Sequence, residues 1–477
     1  MIATGIRQLR MALSIILGKS LDPANAQRLV GDALRTLNEF GSPGQDHQQV
    51  LLGPLADPAS RRDMQNLTLQ RTMRHLAQTS PYYKKLFASL PFDATSMTQE
   101  RMPQVPVTSK SAFMAHRRDF MASNALPYMS TRTTGTTGQP VQVYFSRNEL
   151  ELWSALAILG MLLHQEFDPR GCLQVNISLR ATTAVYMHSA ICRLAGARIH
   201  ILGLVPVNLS LDMLVDEGEM SPTMLATYPS YLAELLVAAR RRGLGPRDFR
   251  LRHIYIGSEI LSSALVQATR ETFGVHIQES YGATEITPVG ARVCRQGHLH
   301  PDFSSAFFEV IDLNNGLPAA PGEPGTLVIT PYFPYRQCMP LFRYDTRDVV
   351  RCLPTGPLTC ELAGVPATSH LEGKADHLLW FDGQMVTPRA LVEAIESLPS
   401  QPWPARFRAQ VTPQGVALRL PRRAFQGLTE ADVLGHLQNA GLPVCTVHCV
   451  ADQEERELRP LRADMKEAIF QRGAAGL

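Results

Sequence analysis

Three polar segments of this chain contain residue types that could handle a nucleotide. The first is Thr133-Thr-Gly-Thr-Thr-Gly138, in which two glycines and four threonines occupy six residues. Such a loop offers backbone N–H groups and hydroxyls to a polyphosphate. A solvent-exposed hairpin rich in threonine and glycine has the same composition, so this segment alone leaves both interpretations open.

The second segment is Gln278-Glu-Ser-Tyr-Gly-Ala-Thr-Glu285, which directly follows a predicted strand. Tyr281 could stack on a flat ring, Gly282 permits close approach of a backbone, and Glu285 could hold a divalent cation through its carboxylate. The alternative is a strand end with a buried tyrosine and a threonine that caps a helix.

The third segment is Pro340-Leu-Phe-Arg-Tyr-Asp-Thr-Arg-Asp348. Its two aspartates, Asp345 and Asp348, are flanked by Arg343 and Arg347, so they could simply be ion-paired on a strand edge. A carboxylate here could instead accept hydrogen bonds from both hydroxyls of a ribose, as acidic residues do in nucleotide sites.

The elements that must position these segments alternate between strand and helix. Residues 1 to about 100 are predicted to be mostly helical, and short strands are predicted at 173–177, 198–202, 252–256 and 275–278, with helices between them. This alternation predicts an α/β fold, with a large layered N-terminal α/β domain built on a largely parallel sheet. The domain is predicted to span 1–375, and residues 376–477 are predicted to form a small, mobile C-terminal α+β domain.

Composition bounds the possible classes of protein. The chain has 477 residues, of which 45% are hydrophobic, so more than one globular domain is expected. Its net charge of +3 is too small to indicate nucleic acid as a partner. The sequence contains no unbroken apolar stretch of about 20 residues, so it predicts no membrane-spanning helix. Eight irregularly spaced cysteines argue against a disulfide scaffold and favour a reducing cytoplasm.

Taken together and in order, these segments resemble the adenylate-forming ligases, and more closely the phenylacetate–coenzyme A ligase branch of that superfamily. The resemblance covers nearly the whole chain, and any single motif is weak, whereas eight in register are specific. The matching segments are Ser80-Pro-Tyr-Tyr83, the Thr133–Gly138 loop, Thr227-Tyr-Pro-Ser230, Gly257-Ser-Glu259, Tyr281-Gly-Ala-Thr-Glu285, Arg343-Tyr-Asp-Thr-Arg-Asp348, Gly373-Lys-Ala-Asp376 and Leu461-Arg-Ala-Asp-Met-Lys466.

The resemblance implies a set of ATP contacts. The loop of Thr133, Thr134, Gly135, Thr136, Thr137 and Gly138 would grip the β- and γ-phosphates. Gly257, Ser258 and Glu259 would form the adenine side, and Tyr281 with Gly282 would flank the purine. Thr284 would touch the α-phosphate, Glu285 would coordinate Mg²⁺, and Asp348 would bind the ribose.

The resemblance also implies a lysine that moves. Lys466 matches the lysine that bridges the substrate carboxylate and the α-phosphate during adenylation. Asp376 matches the hinge about which the small domain rotates, so that Lys466 leaves and a thiol-facing surface enters. Two positions depart from the family pattern. Gln139 stands where the phosphate loop usually has lysine, and Lys374 replaces the usual arginine of the hinge motif, which trades a bidentate fork for a point charge.

Family position places Tyr186, His188, Tyr228 and Gly257 near the acid. A lone histidine is more often a packed residue than a pocket residue. His188 is nevertheless assigned to the pocket, because the strand end that precedes it is where this family has its acid site. An aromatic acid fits this branch better than a long fatty acid.

Some relatives in the branch carry a structural metal after the Tyr-Gly-x-Thr-Glu motif. The resemblance implies Cys294, His300 and Cys360 as zinc ligands, with Cys352 or His298 as the fourth. Leu358 stands where relatives have the first cysteine of a Cys-x-Cys pair, and this missing ligand favours the alternative of a degraded site with free thiols.

The implied function is ATP-dependent conversion of a small, aromatic carboxylic acid to an acyl-adenylate with release of pyrophosphate. The acyl group would then pass to the thiol of coenzyme A or of a carrier-protein phosphopantetheine. The alternatives are transfer to an amine, activation of nitrite, and a decayed ATP-binding homologue. A homodimer is an open prediction.

Overall fold

The computed structural model describes residues 2–16, 19, 21–42, 57–93, 96–133, 140–354 and 358–450. The helices in these ranges are α1 (Ile2–Ile16), α2 (Pro23–Phe40), α3 (Pro58–Thr79), α4 (Pro81–Ala88), α5 (Lys110–Ala115), α6 (Arg117–Phe120), α7 (Arg147–Leu163), α8 (Thr182–Ala195), α9 (Val207–Leu214), α10 (Pro229–Arg241), α11 (Ser263–Phe273), α12 (Pro388–Glu396) and α13 (Glu430–Asn439). None of them has the length and apolar composition of a membrane span.

The strands form sheets that alternate with these helices along the chain. They are β1 (Pro127–Arg132), β2 (Gln142–Ser146), β3 (Cys172–Asn176), β4 (Arg198–Ile201), β5 (Met224–Thr227), β6 (His253–Gly257), β7 (Ile277–Gly282), β8 (Gly290–Val293), β9 (Leu299–Pro301), β10 (Ala306–Asp312), β11 (Pro324–Pro331), β12 (Tyr344–Arg351), β13 (Gly373–Lys374), β14 (Leu379–Phe381), β15 (Gln384–Val386), β16 (Arg408–Thr412), β17 (Gly415–Pro421) and β18 (Val444–Val450).

A central sheet of seven strands has the order β4-β3-β5-β6-β7-β8-β9. Neighbours from β4 to β7 are parallel, and β8 and β9 are added antiparallel. Successive residues of β5 point to opposite faces, since Met224 and Ala226 pack in one core with α7 and α8 while Leu225 packs in another with α10 and α11. Helices therefore cover both faces of the sheet, as burial of parallel strands requires.

A second, antiparallel sheet has the order β10-β11-β12-β13. Residues 376–450, here called the C-terminal part, contain the β14–β15 hairpin, the three-stranded sheet β16-β17-β18 and helices α12 and α13. Most of their buried apolar residues form a core of their own, between Leu379 and Val447. The predicted α/β class is confirmed. The predicted domain boundary at 376 and the mobility of the second domain stay predictions.

The C-terminal part docks on the amino end of α11. Ser262, the N-cap of α11, accepts a hydrogen bond from Leu265 N and donates one to the Glu396 carboxylate on α12. The backbone N–H of Ser263 donates to Glu393 at 2.9 Å. Carboxylates at a helix amino end satisfy unpaired N–H groups and meet the positive end of the helix dipole. Arg389 donates to the carbonyl of Leu261 at 3.0 Å, which adds a third contact to this interface.

Most strands predicted from periodicity are present, and two very short strands were missed. The predicted strands at 173–177, 198–202 and 252–256 match β3, β4 and β6 to within a residue or two at each end. The helix predicted between the strands at 173–177 and 198–202 is present as α8, which begins at Thr182. The β8–β9 hairpin was not predicted, because strands of four and three residues carry no readable alternation.

Burial of Glu396 makes a pH-dependent contribution to stability. Desolvation raises the pKa of this carboxyl to about 7 from 4.5, against the lowering effect of the Ser262 and Ala405 hydrogen bonds. The folded chain therefore holds a proton that the unfolded chain releases between these two pH values, so this contribution weakens as the pH rises from 4.5 to 7 and is lost above 7. Glu396→Gln should gain stability relative to wild type by about 3 kcal/mol between pH 5 and pH 8.5.

Melting temperatures of wild type and Glu396→Gln, recorded between pH 5 and pH 8.5, measure this difference in stability. Glu393→Gln is the matched control, because Glu393 lies on the same helix and contacts Ser263 but its side chain is 31% exposed. A constant difference in melting temperature between wild type and Glu396→Gln would show that Glu396 is not the titrating group.

Candidate functional site

The carboxyl ends of β5, β6 and β7 open into one cavity of 2860 Å³. This volume exceeds the roughly 300–1,000 Å³ of a site for a single drug-sized ligand. Tyr228 follows β5, Gly257 ends β6, and Tyr281 lies near the end of β7, and all three line the cavity. Parallel strands present their carboxyl ends on one side of a sheet, so segments that are far apart in sequence meet here.

The loops after β5 and β6 are held together by Glu259. Its carboxylate accepts a hydrogen bond from Ser230 N, in the first turn of α10, at 3.0 Å. Gly257 is required by close packing, since a Cβ at this position would lie 2.8 Å from the Ser280 carbonyl oxygen. Ser258 has φ +74°, an unusual conformation for a residue with a side chain. The three predicted adenine-side residues thus form a constrained turn at the cavity wall.

Tyr281 and Asp348 are joined directly across the two sheets. The Tyr281 hydroxyl donates to Asp348 Oδ2 at 2.9 Å, and Lys374 Nζ lies 2.9 Å from Asp348 Oδ1. Lys374 also donates to the Thr346 carbonyl at 2.9 Å. Burial, followed by the nearby Asp348 charge, raises the pKa of Tyr281 well above its usual value, so its hydroxyl keeps its proton as a donor. A buried carboxylate with partners on both oxygens has a fixed orientation.

Glu285 lies on the same wall, held by the second sheet. Its Oε1 accepts from the Tyr344 hydroxyl at 3.2 Å, and the carboxylate is 9% exposed. Burial and then the Glu285 charge raise the pKa of Tyr344, so this hydroxyl also remains a donor. Thr284 and Gly282 line the cavity beside Glu285.

Of the predicted phosphate loop, the structure describes only the first residue, Thr133. Thr133 N donates to the Val141 carbonyl, and Val141 N donates to Thr133 Oγ1, both at 2.9 Å. These two bonds close the base of the segment 134–139, which lies outside the described residues, as does Lys466. Thr133 lines the cavity, so the base of the segment is at its edge.

The Arg343–Asp348 segment is anchored by contacts that its own residues did not indicate. Arg343 makes a two-point ion pair with Glu309 on β10, at 3.0 and 2.9 Å, rather than with Asp345 or Asp348. The Tyr83 hydroxyl accepts from Phe342 N at 2.6 Å. The motif Ser80-Pro-Tyr-Tyr83 was the available signal for this second contact, and its partner could not be read from the sequence.

The predicted hinge residue forms an ion pair. Asp376 Oδ1 accepts from the Arg347 guanidinium at 2.8 Å. Arg347 has φ +60°, and its side chain also lies 3.8 Å from Asp345. The pair is about half exposed, so its contribution to stability is small.

The structure separates the predicted acid-pocket residues. His188 and Tyr228 line the cavity and are buried. Tyr186 is not among the cavity-lining residues, and burial, followed by the effects of Tyr128 and Glu151, raises the pKa of its hydroxyl. A helix turns about 100° per residue, so Tyr186 on α8 faces about 200° away from His188. The prediction that Tyr186 contacts the acid therefore lacks support from its position.

Four potential metal ligands converge beside β8 and β9. The ligand atoms of Cys294, His298, His300 and Cys360 all lie within 4.8 Å of one another. The structure thus selects His298, and not Cys352, as the fourth member of the predicted set. The set suits tetrahedral zinc, whose usual ligands are thiolate and imidazole.

Hydrogen bonds around the cluster orient its histidines. His300 Nδ1 is 3.1 Å from the Val365 carbonyl, which directs Nε2 to Cys360 Sγ at 3.3 Å. Carbonyl acceptors of this kind fix the tautomer of metal-binding histidines. His298 Nδ1 is buried and has no hydrogen-bond partner among the described residues. An unpaired nitrogen next to buried thiols fits a site that binds a cation.

Comparison with known proteins identifies relatives of the whole arrangement. Residues 81–333 match the family model described as AMP-binding enzyme. A phenylacetate-coenzyme A ligase from Thermus thermophilus is 26% identical over 361 residues, covering 71% of this chain and 76% of the relative. A phenylacetate-coenzyme A ligase from Pseudomonas putida is 24% identical over 370 residues, covering 73% of this chain and 79% of the relative.

Solved structures of 2-hydroxyisobutyryl-CoA ligase share the fold. In its postadenylation state with 2-HIB-AMP, that enzyme superposes with a TM-score of 0.72 at 16% identity, covering 87% of this chain and 90% of its own. In its thioesterification state it gives a TM-score of 0.56 at 18% identity, covering 87% of this chain and 91% of its own.

Proposed function

Because the chain belongs to the family of AMP-binding enzymes, in its phenylacetate-coenzyme A ligase-like branch, we propose that it activates a small aromatic carboxylic acid with ATP and transfers the acyl group to coenzyme A. A carboxylate oxygen of the acid would attack the α-phosphorus of ATP, and the bond to the β-phosphate would break to release pyrophosphate. The thiolate of coenzyme A would then attack the acyl carbon, and AMP would leave.

The buried Asp348 carboxylate is the observation that carries this proposal. It faces the cavity at the carboxyl edge of the central sheet, and Tyr281 and Lys374 hold both of its oxygens in place. A carboxylate has about four acceptor positions, so it can keep these partners and still accept from ribose hydroxyls. Tyr281, tied to the same carboxylate, would place its ring against the purine.

The reaction brings negative groups together, so opposing charge must be provided near the α-phosphate. Glu285 is a suitable ligand for Mg²⁺, since one oxygen bonds Tyr344 and the side chain lines the cavity. Mg²⁺, when bound there, would neutralise phosphate charge. Thr284 would contact the α-phosphate, and Gln139 in place of a lysine leaves the phosphate loop with one positive charge fewer.

Lys466 would supply the remaining charge in the adenylation step, and rotation at Asp376 would remove it before thiol transfer. The Arg347–Asp376 ion pair and the docking of α12 on α11 are the contacts that this rotation must change. The Arg347–Asp376 ion pair is about half exposed, which suits a contact that is remade during turnover.

The cluster of Cys294, His298, His300 and Cys360 would hold a structural zinc ion. Three of its members, Cys294, His298 and His300, lie in the segment after Tyr281–Glu285, and the ion would fix the β8–β9 hairpin to the loop of Cys360. Zinc here would stabilise the cavity wall without contact with the reacting atoms.

Lys466→Ala should lower acid-dependent exchange of radiolabelled pyrophosphate into ATP by at least about 100-fold, because it removes a charge that acts at the transition state. Transfer from a preformed acyl-adenylate to coenzyme A should persist, since the lysine would have left the site by then. Lys85→Ala, an exposed lysine on α4, is the control. Unchanged exchange in Lys466→Ala would disprove the role of Lys466.

Coenzyme A, a phosphopantetheinylated carrier protein and hydroxylamine, offered separately to wild type, identify the acceptor by mass spectrometry of the acyl product. We expect enzyme-dependent product with coenzyme A. Product formed only with the carrier protein or the amine would contradict the proposed acceptor while leaving adenylation intact.

Asp348→Asn should raise the KM for ATP about 10- to 100-fold, because hydrogen bonds to an ionised acceptor are each worth roughly 1.5–3 kcal/mol. Asp345→Asn is the matched control, since Asp345 lies on the same strand but does not line the cavity. Steady-state pyrophosphate release at varied ATP measures both variants. Equal KM values for the two variants would remove Asp348 from the nucleotide site.

Protein purified without added metal should contain about one equivalent of zinc, as measured by elemental analysis. Cys360→Ser should lose the metal and melt at a lower temperature. Cys352→Ser should keep the metal, because Cys352 lies outside the four-ligand cluster. Less than about a tenth of an equivalent in wild type would rule out the zinc site.

A further inference from the structure

One end of the cavity has apolar walls that suit a flat ring. Helix α7 contributes Trp153 and Ala157, and helix α8 contributes Met187 and Ile191. Ile177, after β3, adds a fifth apolar side chain. Pockets of this composition take hydrophobic ligand bodies, and a small number of polar groups then set the orientation.

His188 is a polar side chain on this wall, and its protonation state follows from its contacts. Nδ1 lies 2.7 Å from the Ala184 carbonyl oxygen, one turn earlier on α8. A carbonyl only accepts, so Nδ1 carries a hydrogen. Desolvation lowers the pKa of the imidazole, against a smaller raising effect of the Ala184 bond, so the ring is neutral at pH 7. Nε2 is consequently a lone-pair acceptor.

Nε2 has no hydrogen-bond partner among the described residues, although the histidine is only 8% exposed. Two other polar groups of the cavity wall have protein partners of their own. The Tyr255 hydroxyl donates to the Glu166 carbonyl at 2.6 Å, and the Tyr228 hydroxyl hydrogen-bonds the Ser178 backbone. The cavity therefore contains an acceptor that the protein leaves available to the occupant.

An acceptor on a cavity wall that has no protein partner discriminates between ligands. An acid that brings a donor to Nε2 replaces water without loss of hydrogen bonding, whereas an acid of the same shape without a donor leaves the nitrogen unsatisfied. The apolar walls contact the ring of either acid equally, so the difference in affinity between the two acids arises at His188.

We propose that the acid is an aromatic monocarboxylate with a hydroxyl or amino substituent, and that this substituent donates a hydrogen bond to Nε2 of His188. This inference rests on the proposed function, because it assumes that the apolar end of the cavity holds the acyl group. His188 then acts as a specificity-determining residue and takes no part in the chemical step.

Non-hydrolysable acyl-adenylate mimics test the inference by binding alone. The probes are benzoyl- and phenylacetyl-sulfamoyl adenosines, unsubstituted or with hydroxyl, amino or methyl at each ring position, and calorimetry on the full chain gives their Kd values. At one ring position, the hydroxyl or amino probe should bind wild type about tenfold or more tightly than the methyl probe, which matches it in size.

Three variants assign that preference. His188→Leu removes the acceptor and should reduce the preference to within about twofold, while His188→Gln, whose amide oxygen is an acceptor, should restore part of it. Ser189→Ala is the matched control, because it removes an exposed hydroxyl on the same helix away from the cavity. It should leave the preference unchanged.

The outcomes separate the inference from the function on which it rests. Equal binding of donor and methyl probes at every position, or a preference that survives in His188→Leu, would overturn the inference while leaving adenylation intact. Failure of wild type to bind ATP and all of the adenylate mimics would overturn the proposed function, and the inference with it.

Discussion

The hydrogen bond from Tyr281 to Asp348 is the contact on which the site depends. Tyr281 belongs to the central sheet and Asp348 to the second sheet, and Lys374 adds β13 to the same carboxylate. Three strands from different parts of the chain thus converge on one buried acidic group. Removing any member would leave a charged or polar partner unsatisfied in a buried place, which costs more than the bond contributes.

A second set of buried contacts holds the position of β12 itself. Arg343 is fixed by Glu309 on β10, and Tyr83 binds the backbone at Phe342. These contacts come from regions 34 and 259 residues away in sequence. The amino-terminal helical region therefore supports the strand that carries Asp348 directly, which explains why a motif as early as Ser80–Tyr83 accompanies the later ones.

Sequence reasoning succeeded where local pattern and structure coincide. The alternation of strands and helices predicted β3, β4 and β6 because each has apolar residues at alternate positions. The motifs fell at strand ends because parallel sheets place them there. It left open what depends on register or helical phase. Cys352 and His298 were both candidates for the fourth member of the cysteine–histidine cluster, and the β8–β9 hairpin brings His298 there. The acid-pocket role of Tyr186 stays a prediction, since its position around α8 lies outside the cavity lining.

The order of the central sheet has a consequence for how the molecule behaves at high concentration. At one edge of the sheet, β9 is covered by the β-bridge between Leu299 and Thr368. Among the described residues, the exposed edge strand is therefore β4, at the other side of the sheet. Exposed borders are templates for pairing with another chain. Here β4 has four residues, and the side chains of Arg198 and His200 bind the carbonyls of Glu219 and Met220. This strand is a poor template because it is short and because charged and imidazole side chains are fixed beside it. The fold therefore limits the addition of a strand from another molecule at this edge.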